Sequence, residues 1–180
     1  MLALASDKVI VRDGVILNPH YKAMGLHGSE YWTYTLPKRI GLEKATELTD
    51  ACLPIDARTA AKIGMTDEVL TCEVDDFPKL ILSSAEALAD SAQYAWLLAR
   101  KQSQRARDEA QKPLSLYRHE ELTEMRQNFW GSDSAYDDAR RNFVYKIDCG
   151  QTPLRLARHR EIGRSVAKRD VICHSRVAGT

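Results

Sequence analysis

The chain has 180 residues, 44% of them hydrophobic and 28% charged. That is the make-up of one ordinary folded domain, and it excludes collagen-like, coiled-coil-only and mostly disordered classes. With 26 Lys and Arg against 25 Asp and Glu the formal net charge is +1. No chain-wide attraction therefore draws it to nucleic acid or an anionic membrane, and neither is expected as a partner.

Cys52, Cys72, Cys149 and Cys173 lie far apart, and neither a CxxC pair nor an HExxH motif occurs. Zinc-ribbon, thioredoxin-like and zincin readings lose their support, and no metal site is expected. With no secretory pattern either, four reduced thiols in a cytoplasmic protein are expected. The apolar start Met1–Ala5 is far shorter than the ~20 residues of a spanning helix.

In chain order, Met1–Asp7 reads as the last turns of a buried helix, and Asp7–Arg12 as a short strand with β-branched residues. Asp13-Gly14 then signals a hairpin turn into a second strand, Val15–Leu17, which Asn18-Pro19 ends. So abrupt an opening reads as a start inside a fold. The loop Gly25–Glu30 leads into a helix over Tyr31–Leu36, with Ser29 as its cap and Glu30 in its first turn. Pro37 interrupts that helix, and Lys38–Gly41 forms a basic, glycine-ended stop. Helices follow over Leu42–Cys52 and Ala57–Ile63, the second capped by Asp56 and ended by Gly64. Asp67–Leu70 reads as a strand.

From Asp76 to about Gln111 the chain is helix-permissive, with Pro78 suited to a first turn. Ala85, Leu88, Ala92, Ala95 and Ala99 form a small-residue face suited to close packing, while Lys101–Lys112 reads as a solvated end. Pro113 breaks the helix. Two more follow over His119–Phe129 and Ser134–Tyr145, joined by the turn Trp130–Asp133. Residues 147–180 read as a basic tail outside the core, with Arg155, Arg158, Arg160, Arg164, Lys168 and Arg169.

Two passages carry a resemblance. Asp7–Gly14 through Asn18-Pro19, followed by a glycine loop and a helix, resembles the crotonase (enoyl-CoA hydratase/isomerase) superfamily. So does the run Leu53-Pro54-Ile55-Asp56-Ala57-Arg58 to Gly64-Met65-Thr66-Asp67-Glu68-Val69. More narrowly, Asn18–Lys22, Gly28–Tyr34, Glu124–Phe129 and Ala139–Lys146 look like the C-terminal half of HypX/HoxX-like hydrogenase maturation factors. The resemblance covers about residues 1–146. It implies an α/β, predominantly helical fold: residues 1–75 as the C-terminal half of a crotonase-like spiral core, then a helical region over 76–146 and the tail.

It also implies chemistry. Such maturation factors carry a formyl-tetrahydrofolate-dependent formyltransferase domain before the crotonase-like one. Together the domains are taken to make formyl-CoA and release carbon monoxide for the [NiFe]-hydrogenase iron. Tetrahydrofolate would belong to that first domain only. The sequence as given lacks that domain and the crotonase half that supplies the oxyanion hole, and Met1 aligns at a mid-helix position where hydratases keep a glutamate. The partners implied are an acyl-CoA or formyl-CoA thioester, the chain's own missing N-terminal half and hydrogenase maturation proteins. A hydratase "Pro-Glu" carboxylate aligns with Pro19-His20, which argues against ordinary hydration.

The catalytic candidates are Glu30 for proton handling and His20 or Tyr21 for orienting the formyl oxygen, since a carboxylate beside a His or Tyr suits proton transfer between formyl carbon and sulfur. Leu26, Gly28, Tyr31 and Trp32 are the substrate-binding candidates. The bland readings are that Glu30 complements a helix dipole, His20 is a loop histidine, and Tyr31, Trp32 and Tyr34 are core or pocket wall. Lys38 and Arg39 could meet CoA phosphates, though helix-terminal cations are the commoner case. A generic acyl-CoA hydratase, isomerase or hydrolase, and an inactive fragment or interaction module, stand as alternatives. Enzymatic activity is expected of the parent family and not of the isolated chain.

Overall fold

The structure, a computed structural model, describes residues 2–132 and 135–147. The chain divides into two compact units, Met1–Arg141 and Asn142–Thr180. Of the second, only residues 142–147 are described, so Cys149, Cys173 and most of the basic tail lie outside the description.

A short 3-10 turn, Leu2–Ala5, opens the first unit. Of the helix end expected there, Leu4 is the side chain seen to be buried. Strand β1 covers Ile10–Arg12 and β2 covers Ile16–Leu17. Helices α1 (Trp32–Ile40) and α2 (Leu42–Ala51) follow, then β3 (Ile55–Asp56), α3 (Ala57–Lys62) and β4 (Glu68–Leu70). The rest is helical: α4 (Phe77–Ala89), α5 (Tyr94–Gln111), α6 (Leu114–Trp130) and α7 (Ala135–Val144).

The expected hairpin is not there. Asp13-Gly14 does turn the chain, with Gly14 at φ 85° and the Val15 amide bonded to the Arg12 carbonyl at 3.2 Å. The strands it joins pair elsewhere. β1 runs parallel to β4 in the register Ile10↔Glu68, Val11↔Val69, Arg12↔Leu70, and β2 runs antiparallel to β3. Asp13 explains the divergence: its carboxylate binds Arg58 of α3 at 2.5 Å, and its amide continues the β4 ladder by donating to the Leu70 carbonyl at 2.7 Å. The turn therefore pins two sheets to α3. A parallel pair needs a long crossover, and α1–α3 supply it.

Pro37 also behaves differently. It sits inside α1 and does not end it, because Gly41 still donates to the Pro37 carbonyl at 2.9 Å and Leu36 beside it is fully buried. Packing outweighs the loss of one backbone donor. The stop at Gly41, with φ 82°, is as expected. So is the Asp56 cap, whose carboxylate accepts from the Thr59 amide at 2.8 Å.

The core gathers Leu4, Trp32, Leu36, Ala45, Ala60 and Met65, with Leu17, Ile40, Leu48, Ile55 and Ile63 around them. α1 is its spine: Trp32 and Leu36 lie one turn apart on the inward face. Arg39 fastens the other end of α1, donating to the Leu4 and Ser6 carbonyls at 3.2 Å and to Asp67 at 2.9 Å.

The long permissive stretch is two helices, α4 and α5, separated at residues 90–93. Of the small-residue face, Ala85, Ala92, Ala95 and Ala99 are exposed and only Leu88 is half-buried. The Lys101–Lys112 segment is largely exposed, as expected, but with one buried anchor. Asp108 is buried there and binds Lys38 at 2.6 Å, the Tyr34 hydroxyl at 2.8 Å and Gln104 at 2.8 Å, while Lys101 pairs with Asp7. Asp108 and Lys101 thereby tie α5 to α1 and the amino-terminal segment. Helix α6 begins at Leu114, immediately after Pro113 and earlier than periodicity suggested. Among the described residues no helix is long and apolar enough to cross a membrane.

Candidate active site

The loop between β2 and α1 carries almost every candidate residue. It opens with Asn18 and the buried Pro19, and Tyr21 then starts a 3-10 turn, Lys22–Met24. The Tyr21 carbonyl accepts from the Met24 and Leu26 amides at 3.0 Å each, so Leu26 helps to fold the loop back on itself. Gly28 has φ 86°, and a Cβ there would meet the Tyr21 ring at 3.0 Å. A residue without a side chain is what lets the ring lie against the returning strand of loop.

Tyr21 and Glu30 lie close together. The Ser29 amide donates to the Glu30 carboxylate at 3.2 Å, and the Tyr21 phenol is near enough to feel that carboxylate. Burial, then the neighbouring Glu30 carboxylate and the charge of Glu121, push the Tyr21 phenol up to about 12. It stays protonated, and so remains a donor, across the ordinary pH range.

His20 is exposed. Its Nδ1 lies 3.0 Å from the Asn18 carbonyl, and its ring is stacked on Tyr21 with centroids 6.1 Å apart. Trp32 belongs to the core, its indole N–H donating to the His27 carbonyl at 2.8 Å. Glu30 and Tyr31 instead line a hollow of about 900 Å³ between α1 and α5. Leu4, Leu88, Tyr94 and Leu97 form one side of it, and Tyr34, Lys38 and Asp108 belong to its polar side. Lys38 and Arg39 are engaged by Asp108 and Asp67. Among the described residues no group of three or more His, Cys, Asp or Glu side chains is placed to hold a metal.

The start of α1 departs from expectation. Tyr31 occupies the cap position in a left-handed conformation, φ 57° and ψ 28°, and the helix proper begins at Trp32. Ser29 does not cap it. The cap is Glu121, from the middle of α6 and completely buried: its carboxylate accepts from the Tyr31 amide at 2.8 Å, the Thr33 amide at 3.1 Å and the Thr33 hydroxyl at 2.6 Å. The other grips on the loop come from the same helix. Arg118 donates to the Ser29 carbonyl, Asn128 accepts from the His27 amide at 2.7 Å, and the Gly28 amide points at the Met125 sulfur at 3.2 Å. Residues 118, 121, 125 and 128 are spaced 3, 4 and 3, one stripe of a helix. That spacing was the one available signal in the sequence, and its polar members hid it from a search for apolar periodicity.

Comparison with known proteins bears on the family and the fold. The enoyl-CoA hydratase/isomerase family pattern matches residues 1–141. The hydrogenase maturation factor HoxX of Bradyrhizobium diazoefficiens is 49% identical over 160 residues, 88% of this chain and 28% of that protein. The crystal structure of Aquifex aeolicus HypX with tetrahydrofolic acid superposes with a TM-score of 0.74 at 37% identity, over 84% of this chain and 27% of that one. An enoyl-CoA hydratase/isomerase structure from Pseudoalteromonas atlantica shares the fold, with a TM-score of 0.67 at 19% identity, over 80% of this chain and 55% of that one. The chain thus spans somewhat more than a quarter of the maturation factors it matches. It has a crotonase-like fold, resembles HoxX and HypX, and belongs to the enoyl-CoA hydratase/isomerase family.

Proposed function

We propose that this chain is the C-terminal part of a hydrogenase maturation factor, and that its crotonase-like fold takes a formyl-CoA thioester and releases carbon monoxide for the iron of a [NiFe]-hydrogenase. The observation that carries the reading is Glu30 lining a hollow, with Tyr21 close to it, in a chain 49% identical to a HoxX protein. In this reading tetrahydrofolate serves only the formyltransferase part of the whole protein.

The reaction needs no oxidant. A base takes the formyl proton, the C–H electron pair becomes the carbon lone pair of carbon monoxide, and the C–S pair leaves with sulfur. The proton then passes to the thiolate, giving free CoA. Glu30 is the base, its carboxylate held by the Ser29 amide beside Tyr21. Tyr21, protonated throughout, orients the formyl oxygen. His20 is the weaker candidate for that task because its ring is exposed and its Nδ1 faces a loop carbonyl. Removing a positioned proton-transfer group costs about 10²–10⁴ in rate.

The test replaces the equivalent segment of the Bradyrhizobium factor with this chain and follows carbon monoxide from formyl-CoA by its binding to reduced myoglobin. Glu30→Gln is expected to lower output by that factor. Unchanged output would remove Glu30 from the mechanism. Hydration of crotonyl-CoA at a comparable rate would favour a general acyl-CoA enzyme instead.

A further inference from the structure

Glu121 takes no part in the proton transfers just described, yet it is the one carboxylate with no exposed surface among the described residues, and both of its oxygens are engaged. It comes from a helix some ninety residues downstream of the loop it holds. Its three donors all lie immediately after Glu30. Gathering the Tyr31 and Thr33 amides on one carboxylate requires the chain to turn sharply at residue 31, and a tyrosine does not adopt the left-handed region unaided. That turn lies at the residue directly after Glu30.

We propose that Glu121 is a positioning residue for Glu30: by holding the left-handed turn at Tyr31, it sets the direction in which the Glu30 carboxylate points toward Tyr21 and the hollow. Arg118, on the same stripe of α6, supports it from the other side of Glu30 by holding the Ser29 carbonyl and lying 5.7 Å over the Tyr31 ring. The inference rests on the role given to Glu30 above but concerns geometry alone, so it can be measured without substrate.

The reporter is the Ser29 amide, which donates to Glu30. In nitrogen-15 spectra of the 180-residue chain Glu30→Gln should move the Ser29 amide shift, because it exchanges the carboxylate acceptor for an amide. Glu121→Gln is expected to move Ser29 as well, by releasing Glu30 from it, while the core amides of Leu36, Ala45 and Ala60 keep their shifts. Adding Glu30→Gln to Glu121→Gln should then move Ser29 little further, as for residues acting through one another. An unmoved Ser29 amide in Glu121→Gln, or displacements that simply add in the double variant, overturns the proposal. If Glu121→Gln fails to fold, Thr33→Val removes one of the three donors and should move Ser29 part of the way, and an unmoved amide there overturns it equally. Failure of the carbon monoxide assay alongside a displaced Ser29 amide in Glu121→Gln would refute the reaction and leave the positioning role standing.

Discussion

Asp108→Asn isolates what fastens α5 to α1. The carboxylate holds Tyr34, Lys38 and Gln104 at 2.6–2.8 Å. Three charge-assisted bonds at about 1.5–3 kcal/mol each would suggest a loss of roughly 4.5–9 kcal/mol. That sum is too large, because the exposed Lys38 and Gln104 recover water once released. Only the half-buried Tyr34 hydroxyl loses a partner it cannot cheaply replace, so the expected loss is about 1.5–3 kcal/mol, one bond's worth. Urea unfolding followed by circular dichroism would read this as a midpoint lowered by about 1 M, with a slope near 2 kcal/mol per molar. The sign with pH is also fixed. Burial works to raise the Asp108 carboxyl, but the bonds from Lys38, Tyr34 and Gln104 outweigh it and hold the group below its ordinary 3.8. A depressed acid stabilises the fold above its unfolded value and loses that contribution as pH falls through the folded one. The gap between wild type and variant should therefore be constant from neutral pH down to about 4 and close below it. A gap under about 0.5 kcal/mol, or one that persists unchanged in strong acid, would refute this account of the network.

Other expectations follow from single contacts. Gly28→Ala places a methyl 3.0 Å from the Tyr21 ring at a φ of 86°. It should displace that ring and bring the phenol down from about 12 toward its ordinary 10. Ultraviolet titration of the tyrosines would show the highest-titrating one lost, and an unchanged curve would count against the packing described. Leu36→Ala empties a fully buried site on the spine of the core. It should cost about 2–5 kcal/mol in a thermal or urea melt, whereas a cost below 1 kcal/mol would mean that the site collapses freely.

What the sequence disclosed was what is local. The Asp56 cap lies three residues from the amide it receives, and Gly41, Gly64 and Pro78 act on their own turns, so all four read correctly from neighbouring residues. The β1–β2 hairpin misled because its turn chemistry was right while the ladder partner of β1 lies at Glu68–Leu70, beyond three helices. Likewise Ser29 looked like a cap because nothing nearby revealed that Glu121, 90 residues from Tyr31, would fill that role. Asp108 sat in a polar run that reads as solvated until Tyr34 and Lys38 are brought to it. The Glu30 and Tyr21 candidates rested on the family resemblance, since eight residues of loop separate them and neither helix nor strand periodicity brings them together.

The stripe Arg118, Glu121, Met125 and Asn128 has a consequence for how this part of the chain can change. Successive residues of a helix are rotated by about 100°. One amino acid inserted between Glu121 and Met125 would swing the last two grips away from the loop while leaving the first two in place, so His27 and Gly28 would be released and Tyr31 still held. Length variation among relatives should accordingly be absent between 118 and 128, and concentrated at the flanking joints near Pro113 and Gly131.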